Sequence, residues 1–182
     1  FYSGNLTGSV IVNEHEISKN SINELSQYVG SVFQNPRTQF FNVDSTSEIA
    51  FACENFGISR EEICKRIGKV TKELNIKNLL DKSLFSISGG EKQKIACASA
   101  AAMEPEIYVL DEPSSNLDIQ TIKMLKDIIK KWKEKKSTVV IAEHRLQYLI
   151  DIADRFIYMK DGEINKEFSC VEFKELSNST LN

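Results

Sequence analysis

Along this chain the apolar residues follow two rhythms. Short runs occur at Gly8 to Ile17, Val29 to Phe33, Ile107 to Leu110 and Thr138 to Ala142. Runs of this length suit strands, and unbroken apolar ones suit a buried parallel sheet. In the first run Val10 and Val12 share one face and Ile11 takes the other, which predicts a strand. Elsewhere the spacing is that of a helix face. Ile49, Ala52, Cys53 and Phe56 form one such set, Ile63, Ile67, Val70 and Leu74 a second, and Ile122, Leu125, Ile129 and Trp132 a third. Ser45-Thr46-Ser47-Glu48 fits the S-x-x-E capping box, which predicts a helix opening there. Ser88 and Glu91 repeat that pattern ahead of the Ala-rich run Ile95 to Met103, and Pro105 lies just beyond it. Near the C-terminus, Arg155 to Lys160 and Glu163 to Phe168 flank Asp161-Gly162, a tight-turn pair that predicts a hairpin. Strands alternating with helices define an α/β chain.

Several polar groups fall where such a fold does chemistry. Ser88 stands before Gly89 and Gly90 at the predicted helix start. Glycine there costs helix stability, and in return the backbone can approach a ligand closely. A helix N-terminus with a serine and two glycines is an anion site, and the plain alternative is an ordinary capped helix. Asp111 and Glu112 end the run Ile107 to Leu110, at the strand end where open α/β sheets place ligands. Adjacent carboxylates repel, so a pair here calls for a cation or a proton to handle. Asp111 suits magnesium, held through water, and Glu112 suits orienting or deprotonating an attacking water. The alternative is a solvated acidic turn. Glu143-His144 follow the run Thr138 to Ala142, and Gln34 follows Val29 to Phe33. By itself His144 reads as a surface or capping residue, and Gln34 carries no meaning alone.

Taken together, these segments resemble the ATPase domains of ABC transporters. Val32-Phe33-Gln34-Asn35-Pro36 is similar to their Q-loop, Ile87 to Lys94 to their signature motif, and Ile107 to Glu112 to their Walker B strand. Ser115-Asn116-Leu117-Asp118 resembles the D-loop and His144 the switch histidine. The order is that of the family, and the motifs span residues 32 to 144. The resemblance implies a P-loop NTPase (RecA-like) core with an inserted helical subdomain at residues 43–103, within one ATPase domain over residues 1–182. It implies ATP and Mg2+ as ligands. Asp111 would bind magnesium, Glu112 would be the catalytic base, and His144 would contact the γ-phosphate. Gln34 would sense magnesium and the attacking water. Ser88, Gly89, Gly90 and Glu91 would clamp ATP held by a second ABC ATPase domain, with Asp118 at the same interface. Glu91 stands where the family most often has Gln, and Lys94 replaces a frequent Arg, losing its planar fork.

One family element is absent from the sequence. The pattern G-x-x-x-x-G-K-[ST] occurs nowhere, and the one Gly-Lys pair, Gly68-Lys69, is followed by Val70 inside a helical pattern. In the family, the strand resembling Gly8 to Glu14 follows the P-loop and its helix, and Phe1 is not a start residue. The expectation is therefore an N-terminally truncated domain that lacks the P-loop strand and helix and is inactive alone.

Composition narrows the partners. A chain of 182 residues is long enough for one domain with its own core. The formal charge of -3 offers no electrostatic case for nucleic acid. The lysines from Lys123 to Lys136 read as the solvated face of their helix. Cys53, Cys64, Cys97 and Cys170 show no C-x-x-C spacing and read as reduced and mostly packed. No apolar run approaches the roughly twenty residues that span a bilayer. Phe1-Tyr2-Ser3-Gly4, Gln34 to Asn55, and Ala142-Glu143-His144-Arg145-Leu146 are similar to the energy-coupling-factor importers of vitamins and transition-metal ions. That implies a transmembrane transport subunit as partner and a place on the cytoplasmic face of the membrane; Phe40 and Phe41 read first as core, and their place just after the Q-loop also suits a contact with that subunit. The alternatives are an ABC-type ATPase with no membrane partner, or a P-loop-less interaction domain acting in trans.

Overall fold

Three parallel strands organise the molecule. The computed structural model describes residue 5 and residues 7–179; Phe1 to Gly4, which carry part of the importer resemblance, lie outside them. Strands β3 (Val29–Val32), β4 (Ile107–Asp111) and β5 (Thr138–Ala142) pair in that order. Val32 lies opposite Leu110, and Leu110 opposite Ile141. Ahead of the sheet come β1 (Ile11–Val12), β2 (His15–Glu16) and the short α1 (Ile22–Leu25). Helices α2 (Ser45–Asn55), α3 (Arg60–Leu74) and α4 (Gly89–Ala102) lie between β3 and β4, and α5 (Ile119–Glu134) joins β4 to β5. The hairpin β6 (Arg155–Lys160) and β7 (Glu163–Ser169) leads into α6 (Cys170–Ser179).

Packing on the sheet is one-sided. Gly30, Val32, Tyr108 and Leu110 are buried along one face. A Cβ on Gly30 would come 3.4 Å from that of Ala100 in α4, and only 2.9 Å from Pro105 Cγ, so that position admits no side chain. Tyr108, the register partner of Gly30, stacks on Trp132 of α5 with ring centroids 3.8 Å apart. Both helices therefore cover the same face. The unbroken apolar runs suggest burial on both faces, but Val109 is 39% and Val140 54% exposed. Among the described residues no element covers that second face. Helix α4 packs against α2, α3 and β3. Its Ile95, Ala96, Cys97 and Ala98 are all fully buried, which explains the run of small residues: a helix enclosed all round has room for little else.

Several local expectations hold and others are corrected. Asp161 and Gly162, at φ +53° and +81°, close the β6–β7 hairpin as expected. The stretch Gly8 to Ile17 is not one strand. Asn13 and Glu14 take φ of +46° and +67°, which reverses the chain into the small hairpin β1–β2. Helix α2 is capped by Asp44, whose carboxylate accepts from Ser47 N at 2.9 Å, so Ser45 is its first residue rather than its cap. The Glu48 carboxylate is buried and accepts from Phe41 N and Asn42 N, fastening the segment before the helix. The lysines of α5 do more than face solvent. Lys126 pairs with Asp151, Lys133 with Asp154 and Lys135 with Glu73. Exposed pairs of this kind contribute about 0–1 kcal/mol each. All four cysteines are free; Cys53 and Cys97 are buried and Cys64 is exposed.

The asymmetry of the sheet sets the first prediction. Trp132→Ala removes a fully buried ring from the covered face and should cost about 3–5 kcal/mol in urea unfolding. Val140→Thr on the open face should change stability by no more than about 0.5 kcal/mol. Equal losses at the two positions would contradict the one-sided packing.

Candidate active site

Parallel pairing brings the carboxyl ends of β3, β4 and β5 to one edge. Gln34 lies just past β3, Glu112 directly follows β4, and His144 lies just past β5. Their side chains meet. Gln34 Nε2 donates to Glu112 Oε2 at 2.8 Å, and His144 Nε2 lies 2.9 Å from Glu112 Oε1. An ionised carboxylate only accepts, so the His144 Nε2 proton points at Glu112. The Glu112 side chain is 29% exposed and that of His144 82%: the acid is sheltered and the imidazole is presented.

Backbone geometry fixes the acid. Glu112 has φ +39°, a left-handed conformation that costs a residue with a Cβ about 1–3 kcal/mol. Its N–H donates to Ala142 O at 2.9 Å and its carbonyl accepts from Ser115 N at 3.1 Å, which holds it there. Asp111 is exposed and, by strand alternation, shares the open face with Val109. Among the described residues no group of three or more His, Cys, Asp or Glu is arranged to hold a metal ion. A single carboxylate still fits magnesium, which is commonly held by one or two carboxylates together with substrate phosphates.

The glycine-bearing helix start forms a second group. Ser88 caps α4 and the full capping box is present. Ser88 Oγ accepts from Glu91 N at 3.3 Å, and Glu91 Oε2 accepts from Ser88 N at 2.8 Å. That backbone hydrogen bond holds the Glu91 carboxyl below its usual range. The Glu91 carboxylate is thereby held at the N-cap, against the Ser88 backbone and hydroxyl. The two glycines differ in purpose. A Cβ on Gly90 would lie 2.7 Å from Thr121 Oγ1, so this glycine lets α4 meet the first turn of α5. A Cβ on Gly89 would meet nothing within 4 Å. Asp118 caps α5, accepting from Thr121 N at 2.7 Å.

Among the described residues no hydrogen bond joins Ser88, Gly89 or Gly90 to the Glu112 group. A cavity of about 250 Å³ lies between the two groups, lined in part by Gln34, Arg37, Gly89, Lys92, Gln93 and Asn116. No Asp or Glu lines it. Burial, with the nearby Arg37 charge, pushes the Lys92 ammonium below its ordinary pKa.

Several residues that build the site are assigned no role by the sequence. Gln39 accepts from Phe33 N and donates to Ser31 O, both at 3.1 Å, clamping the end of β3. Tyr148, buried, donates to Glu143 Oε1 at 2.9 Å. Arg145 reaches across to the loop after β4. Only Glu143 and Arg145 had a signal, as neighbours of His144.

A parallel sheet with polar groups gathered at its carboxyl edge, beside a capped glycine helix start, defines an α/β nucleotide-binding domain. The family model described as "ABC transporter" matches residues 3–115, and the chain belongs to that family, as an ATP-binding domain of mixed α/β P-loop NTPase fold. A putative ABC transporter ATP-binding protein of Treponema denticola is 49% identical over 181 residues, covering 100% of this chain and 37% of that protein. One from Pyrococcus abyssi is 38% identical over 91% of this chain and 63% of its own length. The chain thus spans 37% and 34% of the first two Treponema relatives. Among solved structures, cbiO1 from Clostridium perfringens, part of the ABC transporter complex cbiONQ, matches with a TM-score of 0.81 and 26% identity over 94% of this chain and 71% of that one. A dimeric ATP-binding cassette in a post-hydrolysis state with ADP and Pi matches at 0.77 and 25% identity, covering 90% and 74%.

The glycines give a sharp test. Gly90→Ala should destabilise the domain by about 1–3 kcal/mol, since the new Cβ collides with a β-branched neighbour. Gly89→Ala should leave stability unchanged or raise it by up to about 1 kcal/mol. Thermal melts of the two variants decide; a reversed order would show that α4 and α5 do not meet as described.

Proposed function

We propose that this domain belongs to a magnesium-dependent ATPase that powers an ABC importer of the energy-coupling-factor type. The observation that carries the ATPase reading is Glu112, held at a strained φ with one carboxylate oxygen on Gln34 and the other on His144. Glu112 orients and deprotonates the attacking water. Its two partners orient the carboxylate before substrate arrives, and the Gln34 bond keeps it oriented when His144 leaves. His144, mostly exposed, turns to the γ-phosphate. Asp111 and the Gln34 amide oxygen, which is not used in the bond to Glu112, would hold Mg2+, and that ion would neutralise charge on the phosphates.

Ser88, Gly89 and Gly90 act on ATP bound to a second ATPase domain, with Glu91 as the capping residue and Asp118 at the same interface. The dimeric cassette among the structural relatives supports this arrangement. In this reading residues 43–103, containing α2, α3 and α4, are the helical subdomain of an ATPase domain that spans residues 1–182. The importer type and its vitamin or metal-ion cargo rest on the resemblance of the segments around Gln34 and His144 and on the likeness to cbiO1. A transmembrane subunit would dock near Phe41, which is 75% exposed and stacked on Phe51, placing the domain on the cytoplasmic face of the membrane.

In the protein that carries this domain, Glu112→Gln should keep nucleotide affinity while lowering kcat by at least about 100-fold, because the shape stays and the base is lost. Turnover at the wild-type rate would remove Glu112 from the mechanism. Residues 1–182 alone carry no G-x-x-x-x-G-K-[ST] nest for the phosphates. Calorimetric titration of this chain with magnesium-ATP should show no saturable binding at micromolar concentrations. Tight binding would mean another segment supplies the phosphate contacts.

A further inference from the structure

The turn that carries His144 is held by more than its strand. Glu143 Oε2 accepts from His144 N at 2.9 Å and from Arg145 N at 3.4 Å, while Glu143 Oε1 accepts from the hydroxyl of buried Tyr148. From this fixed turn the Arg145 side chain crosses to the loop after β4. Its Nη1 donates to Ser114 O and to Leu117 O, each at 3.3 Å. Those carbonyls bracket the turn in which Leu117 N also donates to Ser114 O. The loop begins at Glu112 and ends at Asp118, the cap of α5, whose Thr121 stands against Gly90. One guanidinium thus ties the histidine turn to the segment that sets both the acid and the start of α5.

We propose that Arg145 is a positioning residue that fixes the 113–117 loop, holding Glu112 and His144 in register with each other and with the N-terminal turn of α4. The proposal rests on the ATPase reading for its catalytic consequence, though its geometric part does not. Both bonds come from the one Nη1 group, whose two N–H donors are fixed in the guanidinium plane, whereas lysine offers a point charge on a flexible stem. Removing Arg145 leaves every catalytic group in place but frees the loop between them. Displacement of a positioned group by about 1 Å can cost on the order of 100-fold in rate.

The test uses the protein that carries this domain, with Arg145→Ala and Arg145→Lys. Hydrogen exchange is read first, because it needs no assumption about catalysis. In Arg145→Ala the amides of Ser115 and Leu117 should exchange at least about tenfold faster, while those of α4 beyond its first turn stay unchanged. ATP hydrolysis is read second. Arg145→Ala should lower kcat by about 10- to 100-fold with KM within about twofold of wild type, and Arg145→Lys should fall between the two. Millimolar guanidinium should restore part of the rate in Arg145→Ala and none in Arg145→Ala combined with Glu112→Gln. Unchanged exchange at Ser115 and Leu117 overturns the proposal. So does a rate loss that follows a fall in Tm and is not rescued by guanidinium. Faster exchange with full turnover in Glu112→Gln would retain the geometric role and reject the catalytic reading instead.

Discussion

In-register parallel pairing of β3, β4 and β5 is the constraint on which this molecule depends. Parallel strands end on the same side, and a register that matches Val32, Leu110 and Ile141 brings those ends level. Residues 34, 112 and 144 are far apart in sequence and would have no reason to meet otherwise. Antiparallel pairing of β4 with either neighbour would carry one of the three to the opposite edge. The crossovers that parallel strands require are supplied by the α2–α4 group and by α5, so the helices follow from the same constraint. Glycine at position 30 matters for that reason: it admits α4 close enough to cover the crossover's own sheet.

The site then divides its work between loops of different character. Glu112 is fixed through its backbone, by bonds to Ala142 and Ser115, and through its carboxylate by Gln34 and His144. Ser88 is fixed by its own helix, through the reciprocal bonds with Glu91. One group is therefore held by tertiary contacts and the other by local ones. A shift of β5 against β4 would disturb the first and leave the second intact. The Gly90–Thr121 contact is where the two meet, since α5 is anchored at both its cap and its core residue Trp132.

What could be read in advance follows the range of the interactions. The α/β class, the three strands of the sheet, α3, α5, the final hairpin and the capping box at Ser88 all rest on local patterns, and they stand as expected. The failures are equally local in cause. The β1–β2 reversal hangs on Asn13 and Glu14 adopting positive φ, and only the asparagine has a preference for it. At α2, Ser45 and Asp44 are both good caps, and the buried bonds of Glu48 to Phe41 and Asn42 decided between them. Covering of the sheet was not legible, because an unbroken apolar strand looks alike whether one face or two are packed. Ser88, Asp111 and Glu112 stood out by themselves, whereas Gln34 and His144 drew meaning only from the order of the motifs. Their mutual distances, and the supporting bonds of Gln39, Tyr148 and Arg145, connect segments that no pattern along the chain relates.

Local charge, rather than the formal -3 of the whole chain, separates the two halves of the site. Asp111, Glu112 and Glu143 gather at the sheet edge, while the cavity beside α4 has Arg37 and Lys92 and no carboxylate. Phosphate oxygens and a nucleophilic water need opposite surroundings. Carboxylates repel the former unless a cation lies between, whereas a carboxylate can take a proton from the latter. Glu91 would blur this division if its charge faced the cavity, since it sits in the first turn of the same helix. The capping bond to Ser88 holds that charge at the helix start itself, where the positive end of the helix dipole compensates it. An acidic residue in the glycine turn therefore takes up part of the positive potential that an anion at Ser88 would use, and leaves the basic groups of the cavity to make up the difference.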